Sequence, residues 1–220
     1  MSAARVVYDY FGGAERFPTI SEELMEAVDK ADAAQFSEDE ILDPAGWIFL
    51  SFLMDPRTGL GRFREFRISN YQLMLWLIDA CTELTVDEIL ASPDVHERVE
   101  LYWAHAEAAF DQIRRCATVH GNVVVLERDE EIIHPINRFA IYALFLQCDI
   151  SVHVLWGLKK QNTVFAVGKS IVDRSSSTDV GALMLAYGGG GHAAAGTCQV
   201  ANEDAAAVRH ELIGRLVTDG

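Results

Sequence analysis

Residues 187–196 read Tyr-Gly-Gly-Gly-Gly-His-Ala-Ala-Ala-Gly. Four consecutive glycines limit what this stretch can become, because glycine gives up more conformational freedom on folding than any other residue. A chain keeps such a run where its backbone must adopt dihedrals closed to side chains, or where a ligand touches the main chain. Free N–H groups in a glycine loop form a concave anion site, and an adjoining histidine adds a directed hydrogen bond or a positive charge. The bland alternative is a flexible turn between a helix and a strand. Plain turns seldom need more than two glycines, so Gly188, Gly189, Gly190, Gly191 and His192 are read as an anion-binding loop.

The composition limits the anion. Eighteen basic against 33 acidic residues give a net charge of −15, which argues against a long duplex nucleic acid. Residues 1–118 carry 10 basic and 22 acidic residues, a net of −12, and residues 119–220 carry 8 and 11, a net of −3. A short anionic substrate held by a few placed donors fits that distribution. Half the residues of the 220 are apolar, enough for a sizeable core. No apolar run approaches the roughly 18 residues of a membrane span, and the start lacks the features of a signal peptide, so a cytoplasmic protein without membrane partners is expected. Cys81, Cys116, Cys148 and Cys198 are scattered, as free thiols are.

Helical signals fill the first half. Ser2 is placed to cap a short helix ended by Gly12-Gly13, and Thr19-x-x-Glu22 reads as a capping box for a helix reaching about Ala34. Tyr71 to Cys81 is apolar almost all round, which predicts a buried helix. Thr85-x-x-Glu88 caps a short turn, and Ser92-Pro93 opens the longest helix, to roughly Ala117. The pattern then changes. Asn122–Leu126, Ile150–Leu155, Thr163–Val167 and Thr197–Val200 read as strands, with helices over Pro135–Leu146 and Asp204–Val217. The chain is therefore α/β, with a mostly helical part at 1–118 and a small α/β domain at 119–220.

The sequence Gly-Gly-Gly-Gly-His followed by Ala-Ala-Gly, approached through Val164–Ser170 and Val180–Tyr187, resembles the DHH-associated C-terminal domain of the DHH phosphoesterases. The chain is most similar to the exopolyphosphatase-related branch, which lies near the oligoribonuclease (nanoRNase) branch. Two hallmarks of that family are missing: no Asp-His-His and no Asp-x-Asp occurs anywhere. The start, Met1 to Tyr8, resembles the helix that follows the Asp-His-His loop. On this resemblance the chain is a truncated catalytic domain, mostly helical, joined to a substrate-binding domain. The implied activity is Mn²⁺- or Mg²⁺-dependent hydrolysis of short oligonucleotides or polyphosphate, with this chain chiefly holding substrate. The alternative is a nucleotide- or oligonucleotide-binding module without catalysis. A homodimer is left open.

The same resemblance assigns roles residue by residue. His192 contacts phosphate beside the glycines. Lys169-Ser170 occupies the place of the family's usual Arg-Ser, keeping the charge but losing the bidentate fork. Asp32, four residues before Phe36, matches a ligand of the metal pair, with Asp29 one helical turn earlier; both also fit as helix-end aspartates. Without the missing motifs, metal binding is expected to be weak or absent and no catalytic residue is assigned. Arg57, Arg62, Arg64 and Arg67, with Phe63 and Phe66, form either a loop that closes over an anion or an exposed loop paired with nearby acids. Arg138 is a further candidate for substrate binding. The remaining histidines, His105 and His134 among them, have no partner at useful spacing.

Overall fold

The computed structural model describes residues 1–128 and 132–219, which form two compact units. The first holds Met1–Ala109 and His134–Arg138, the second Phe110–Ile133 and Phe139–Gly220.

The first unit is helical: α1 (Ala3–Tyr10), α2 (Gly13–Arg16), α3 (Glu22–Asp32), α4 (Glu38–Leu42), α5 (Gly46–Met54), α6 (Asn70–Glu83), α7 (Val86–Ala91) and most of α8 (Pro93–Cys116). Polar caps set the starts. The Ser2 hydroxyl accepts from Arg5 N–H, and Thr85 with Glu88 completes a capping box. The cap of α3 is Ser21, whose hydroxyl accepts from Leu24 N–H; the box expected from Thr19 is displaced by two residues. Helix α5 buries Phe49, Leu50, Phe52 and Leu53 and forms the centre of this core with Ile41, Leu73, Ile89 and Tyr102. Arg98 is fully buried, with its guanidinium donating to Asn70 Oδ1 and to the carbonyls of Ile68 and Asp94, and lying 4.0 Å from the Phe66 ring.

Two expectations fail in this unit. Helix α6 forms, but its apolar residues are not all buried: Leu73, Leu77 and Ala80 face the core, while Tyr71 and Ile78 are 70% and 66% exposed. A helix can bury only the stripe its neighbours cover. Residues 135–139, expected as the first turns of a helix, instead run as an irregular strap. Its Ile136 N–H donates to Thr58 O, and Asn137 Nδ2 donates to Ile41 O and Tyr102 Oη, so tertiary partners rather than a helical ladder hold this segment.

The second unit is a six-stranded sheet, β1 (Ala117–His120), β2 (Val123–Glu127), β3 (Ile150–Trp156), β4 (Thr163–Lys169), β5 (Gly190–His192) and β6 (Ala195–Val200), in the order β1-β2-β3-β4-β6-β5. Among the described residues only β2 and β3 run parallel, and α9 (Ala140–Leu144) lies in their connection. The alternating burial of β4 sends Phe165 and Val167 into a core shared with Ile150, Val152, α10 (Val180–Leu185) and α11 (Ala205–Asp219). The mixed α/β fold expected from the sequence is the fold observed.

Candidate functional site

The glycine run connects α10 to the β5–β6 hairpin, and each glycine has its own reason to be there. Gly188 adopts φ +74° and ends α10: its N–H donates to Leu185 O, and the Gly189 N–H donates back to Met184 O. That pair of bonds is a Schellman closure, which satisfies two carbonyls left over at a helix end. Gly189 and Gly191 lie against β6 so closely that a Cβ would stand 2.0 Å from Thr197 O at the first and 2.2 Å from Ala195 O at the second. Gly181 and Gly196 complete the contact from the other sides. A Cβ on Gly181 would stand 2.9 Å from the Gly191 carbonyl carbon, and one on Gly196 would stand 2.8 Å from Gly190 O. Helix, strand and strand therefore approach backbone to backbone. Gly190 is the one member of the run with neither a crowded Cβ position nor a positive φ: nothing lies within 4 Å of its missing Cβ.

The expected set of free N–H donors is accordingly smaller than the sequence suggested. The N–H groups of Gly188 and Gly189 are spent on the helix end, while Gly190 and Gly191 stand opposite Thr197 and Gly196 in the hairpin, where adjoining antiparallel pairs alternate between bonded and non-bonded. A helix C-terminus also directs carbonyls, not N–H groups, toward this point.

His192 is exposed at the end of β5, opposite Ala195. Its Nδ1 accepts the Ala194 N–H at 3.2 Å, so in the neutral ring the proton resides on Nε2, which is left as a donor. The Ala194 carbonyl accepts the Lys169 N–H at 2.9 Å. One residue of the hairpin tip thus ties His192 to Lys169 at the end of β4. Lys169 Nζ donates to Ser176 O at 3.0 Å, which uses one of its three N–H donors. Ser170 is buried, and its hydroxyl oxygen accepts from Val172 and Asp173 N–H, holding the turn that follows β4. Its own N–H donates to the carbonyl of Asp149, a buried residue the sequence reading passed over. The Asp149 carboxylate accepts from Asn122 Nδ2 at 2.7 Å and anchors the same turn. An acid directly before the apolar run 150–155 was the available signal.

The structure brings Gly188–Gly191, His192, Lys169 and Ser170 together in the second unit; Asp32 and Arg138 belong to the first. Asp32 is the exposed last residue of α3. Asp29 accepts the Ser2 N–H at 2.5 Å and Arg5 Nε at 2.9 Å, which fixes the start of α1. Those bonds, the Ser2 ones foremost, hold its carboxyl down from 3.8 to about 2. Among the described residues no group of three or more His, Cys, Asp and Glu side chains is placed to hold a metal ion. A lone exposed carboxylate does not make a two-metal site, so the residues present do not fit the expected metal pair.

Arg138 pairs with Asp55 at 3.2 Å, and Asp55 also accepts two bonds from the Arg57 guanidinium and one from the Arg57 N–H. Burial opposes ionisation of Asp55, but the hydrogen bonds and charge of Arg57, with the charge of Arg138, hold its carboxyl below the ordinary value. Arg67 pairs with Asp94, Phe66 lies under Arg98 and Phe63 packs on His105. The arginine loop is to that extent paired with its own chain. His105 and His134, read as partnerless, stand 3.0 Å apart through their Nδ1 atoms, an encounter between residues 29 apart that only the fold creates. A cleft of about 350 Å³ beside α10 is lined by Thr178, Asp179, Arg215 and Asp219, and none of the expected site residues borders it.

No protein-family profile and no curated protein matches the chain. Among solved structures, a pGpG-specific phosphodiesterase of Vibrio cholerae, PggH, is 59% identical with a TM-score of 0.90, the match covering 100% of this chain and 74% of that one. An exopolyphosphatase-related protein of Bacteroides fragilis matches at 12% identity and a TM-score of 0.41, over 91% of this chain and 58% of that one. An uncharacterized protein of Helicobacter pylori matches at 10% and 0.31, over 89% and 62%. The last two are too distant to carry an argument.

Proposed function

Because this chain belongs to the DHH phosphoesterase family, we propose that it serves the hydrolysis of a phosphodiester bond in a short oligonucleotide of the pGpG class. The observation that carries the reading is the 59% identity over the whole chain to a pGpG-specific phosphodiesterase. In this reading the part played by these residues is capture of the substrate. His192 donates through Nε2 to a phosphate oxygen, with its ring held by the Ala194 N–H. Lys169 supplies positive charge from the neighbouring strand end, and Gly190 leaves room for the substrate to meet the backbone. Ser170 shapes the turn that carries Lys169. The division into a helical part at 1–118 and a substrate-binding part at 119–220 belongs to the same proposal, with Arg138 as an additional contact.

Divalent-metal dependence, with Mn²⁺ or Mg²⁺, is proposed as a family property, and no step is assigned to a metal on these residues. The test is titration of the chain with pGpG in excess Mn²⁺, followed by calorimetry and by chromatography of the products. Binding that His192→Ala weakens and His105→Ala leaves unchanged supports the assignment. Equal effects from both variants overturn it. Turnover of pGpG by the chain would overturn the restriction to capture. Polyphosphate bound as tightly as pGpG would overturn the substrate class.

A further inference from the structure

Asp149, directly before β3, is buried. A buried carboxylate is costly unless its oxygens are bonded, and the bonds of this one join three segments distant in the chain. Its N–H donates to Asn122 O at 3.0 Å, and its carboxylate accepts from Asn122 Nδ2 at 2.7 Å, which ties it to the residue before β2. Its carbonyl accepts at 2.6 Å from the N–H of Ser170, the residue after Lys169. Its second carboxylate oxygen meets Ser175 Oγ at 3.4 Å, on the loop that leads from β4 to α10. That loop returns to Lys169. Ser170 Oγ accepts from the Val172 and Asp173 N–H groups, and the Asp173 carboxylate accepts from Ser175 N–H at 3.0 Å, so residues 170–175 form one closed turn. The next residue, buried Ser176, presents the carbonyl that accepts from Lys169 Nζ at 3.0 Å.

We propose that Asp149 is a positioning residue: it grips the loop 170–176 at both ends and thereby fixes where Lys169 Nζ stands, without touching the substrate itself. The proposal rests on the reading of Lys169 as a phosphate contact. A lysine ammonium sits on a flexible four-carbon stem, so the strength of its contact depends on how far its rotamers are limited before the ligand arrives. Here the Ser176 carbonyl limits them. Its place is set from one side by the Asp149 bond to Ser170 and from the other by the Asp149 contact with Ser175. The sheet adds a fixed reference, because Ile150, the residue after Asp149, lies opposite Lys169 in the β3–β4 pair. The bonds, not the charge, carry this role. Asparagine at position 149 keeps an acceptor for Asn122 Nδ2 and offers a donor to Ser175 Oγ, so it retains the grip, whereas alanine loses both side-chain contacts.

The test is calorimetric titration with pGpG at several salt concentrations, in a double-mutant cycle of Asp149 and Lys169. Lys169→Ala is expected to weaken binding about tenfold and to reduce the slope of log K against log salt by about one. Asp149→Ala is expected to weaken binding roughly three- to tenfold where Lys169 is present, because the loosened side chain must then be ordered by the ligand, and to do nothing in the Lys169→Ala background. A merely structural residue would weaken both backgrounds alike. Asp149→Asn is expected to restore the wild-type affinity and salt slope. If Asp149→Ala does not fold, Asn122→Ala, which removes the 2.7 Å donor to the carboxylate, is expected to give the same Lys169-dependent loss. Equal losses with and without Lys169, no loss at all, or no restoration by asparagine overturns the proposal and leaves Lys169 in the site. A Lys169→Ala variant that binds pGpG as the wild type does removes Lys169 from the site, and overturns the reading on which the proposal rests.

Discussion

Single alanine substitutions along the glycine run separate what the fold needs from what a ligand needs. At Gly189 an added Cβ would stand 2.0 Å from Thr197 O and 2.7 Å from Cys198 Cα, more than 1 Å inside contact distance. The obstacle is backbone of β6, which pairs with β4 on one side and β5 on the other, so no rotamer change relieves it. Gly189→Ala is expected to destabilise by about 3 kcal/mol, or roughly 6–12 °C in melting temperature for a chain of this size. Gly191→Ala meets Ala195 O at 2.2 Å and should behave alike. Gly188→Ala meets no atom but must hold φ +74°, which costs about 1–2 kcal/mol. Gly190→Ala has open space and an ordinary φ, so its stability should change by no more than about 0.5 kcal/mol. Thermal and urea unfolding followed by circular dichroism give the order, and calorimetry with pGpG gives the second readout. Only Gly190→Ala should lose affinity without losing stability. If it unfolds as readily as Gly189→Ala, or if Gly189→Ala is neutral, the assignment of packing and ligand roles within the run is wrong.

Three further outcomes are expected. His192→Ala removes one N–H bond to a charged phosphate and should weaken pGpG binding roughly ten- to hundredfold by calorimetry; a smaller loss than for His105→Ala would remove His192 from the site. Loss of water around His153, and secondarily the charge of Arg128, push its pKa from 6.5 down to about 4. The unfolded chain therefore takes up that proton first, and stability should fall as pH drops from about 6.5 to 4. A His153→Gln variant should show a flatter urea midpoint across that window, and an unchanged slope would contradict the assignment. Asp29, depressed to about 2, contributes stability that is complete above about pH 4 and fades as pH falls toward 2. In acid titrations Asp29→Asn should start less stable at neutral pH and lose less below pH 4; parallel curves would show that its bonds to Ser2 and Arg5 do not matter.

Local rules determined a good deal of this protein. Runs of β-branched and aliphatic residues marked β2, β3 and β4 to within two residues, because such side chains pack well on a pleated, buried surface. Ser2, Thr85 and Ser92-Pro93 marked helix starts because their side chains or ring act on the adjoining turn. The glycine run announced an unusual backbone, and the order strand, helix, glycines, histidine was enough to indicate the family. What the sequence left undetermined involves partners distant in the chain. It gave no sign that Gly188 and Gly189 would spend their N–H groups closing α10, or that Gly181 and Gly196 stand opposite them, because those approaches exist only once β6 lies between β4 and β5. His105 meets His134, and Asn137 reaches Ile41 across 96 residues, through tertiary contact alone. Periodicity likewise marked α6 as apolar on every side but not which stripe the core would take. Side-chain pattern sets what an element can bury, and only the arrangement of its neighbours decides what it does bury.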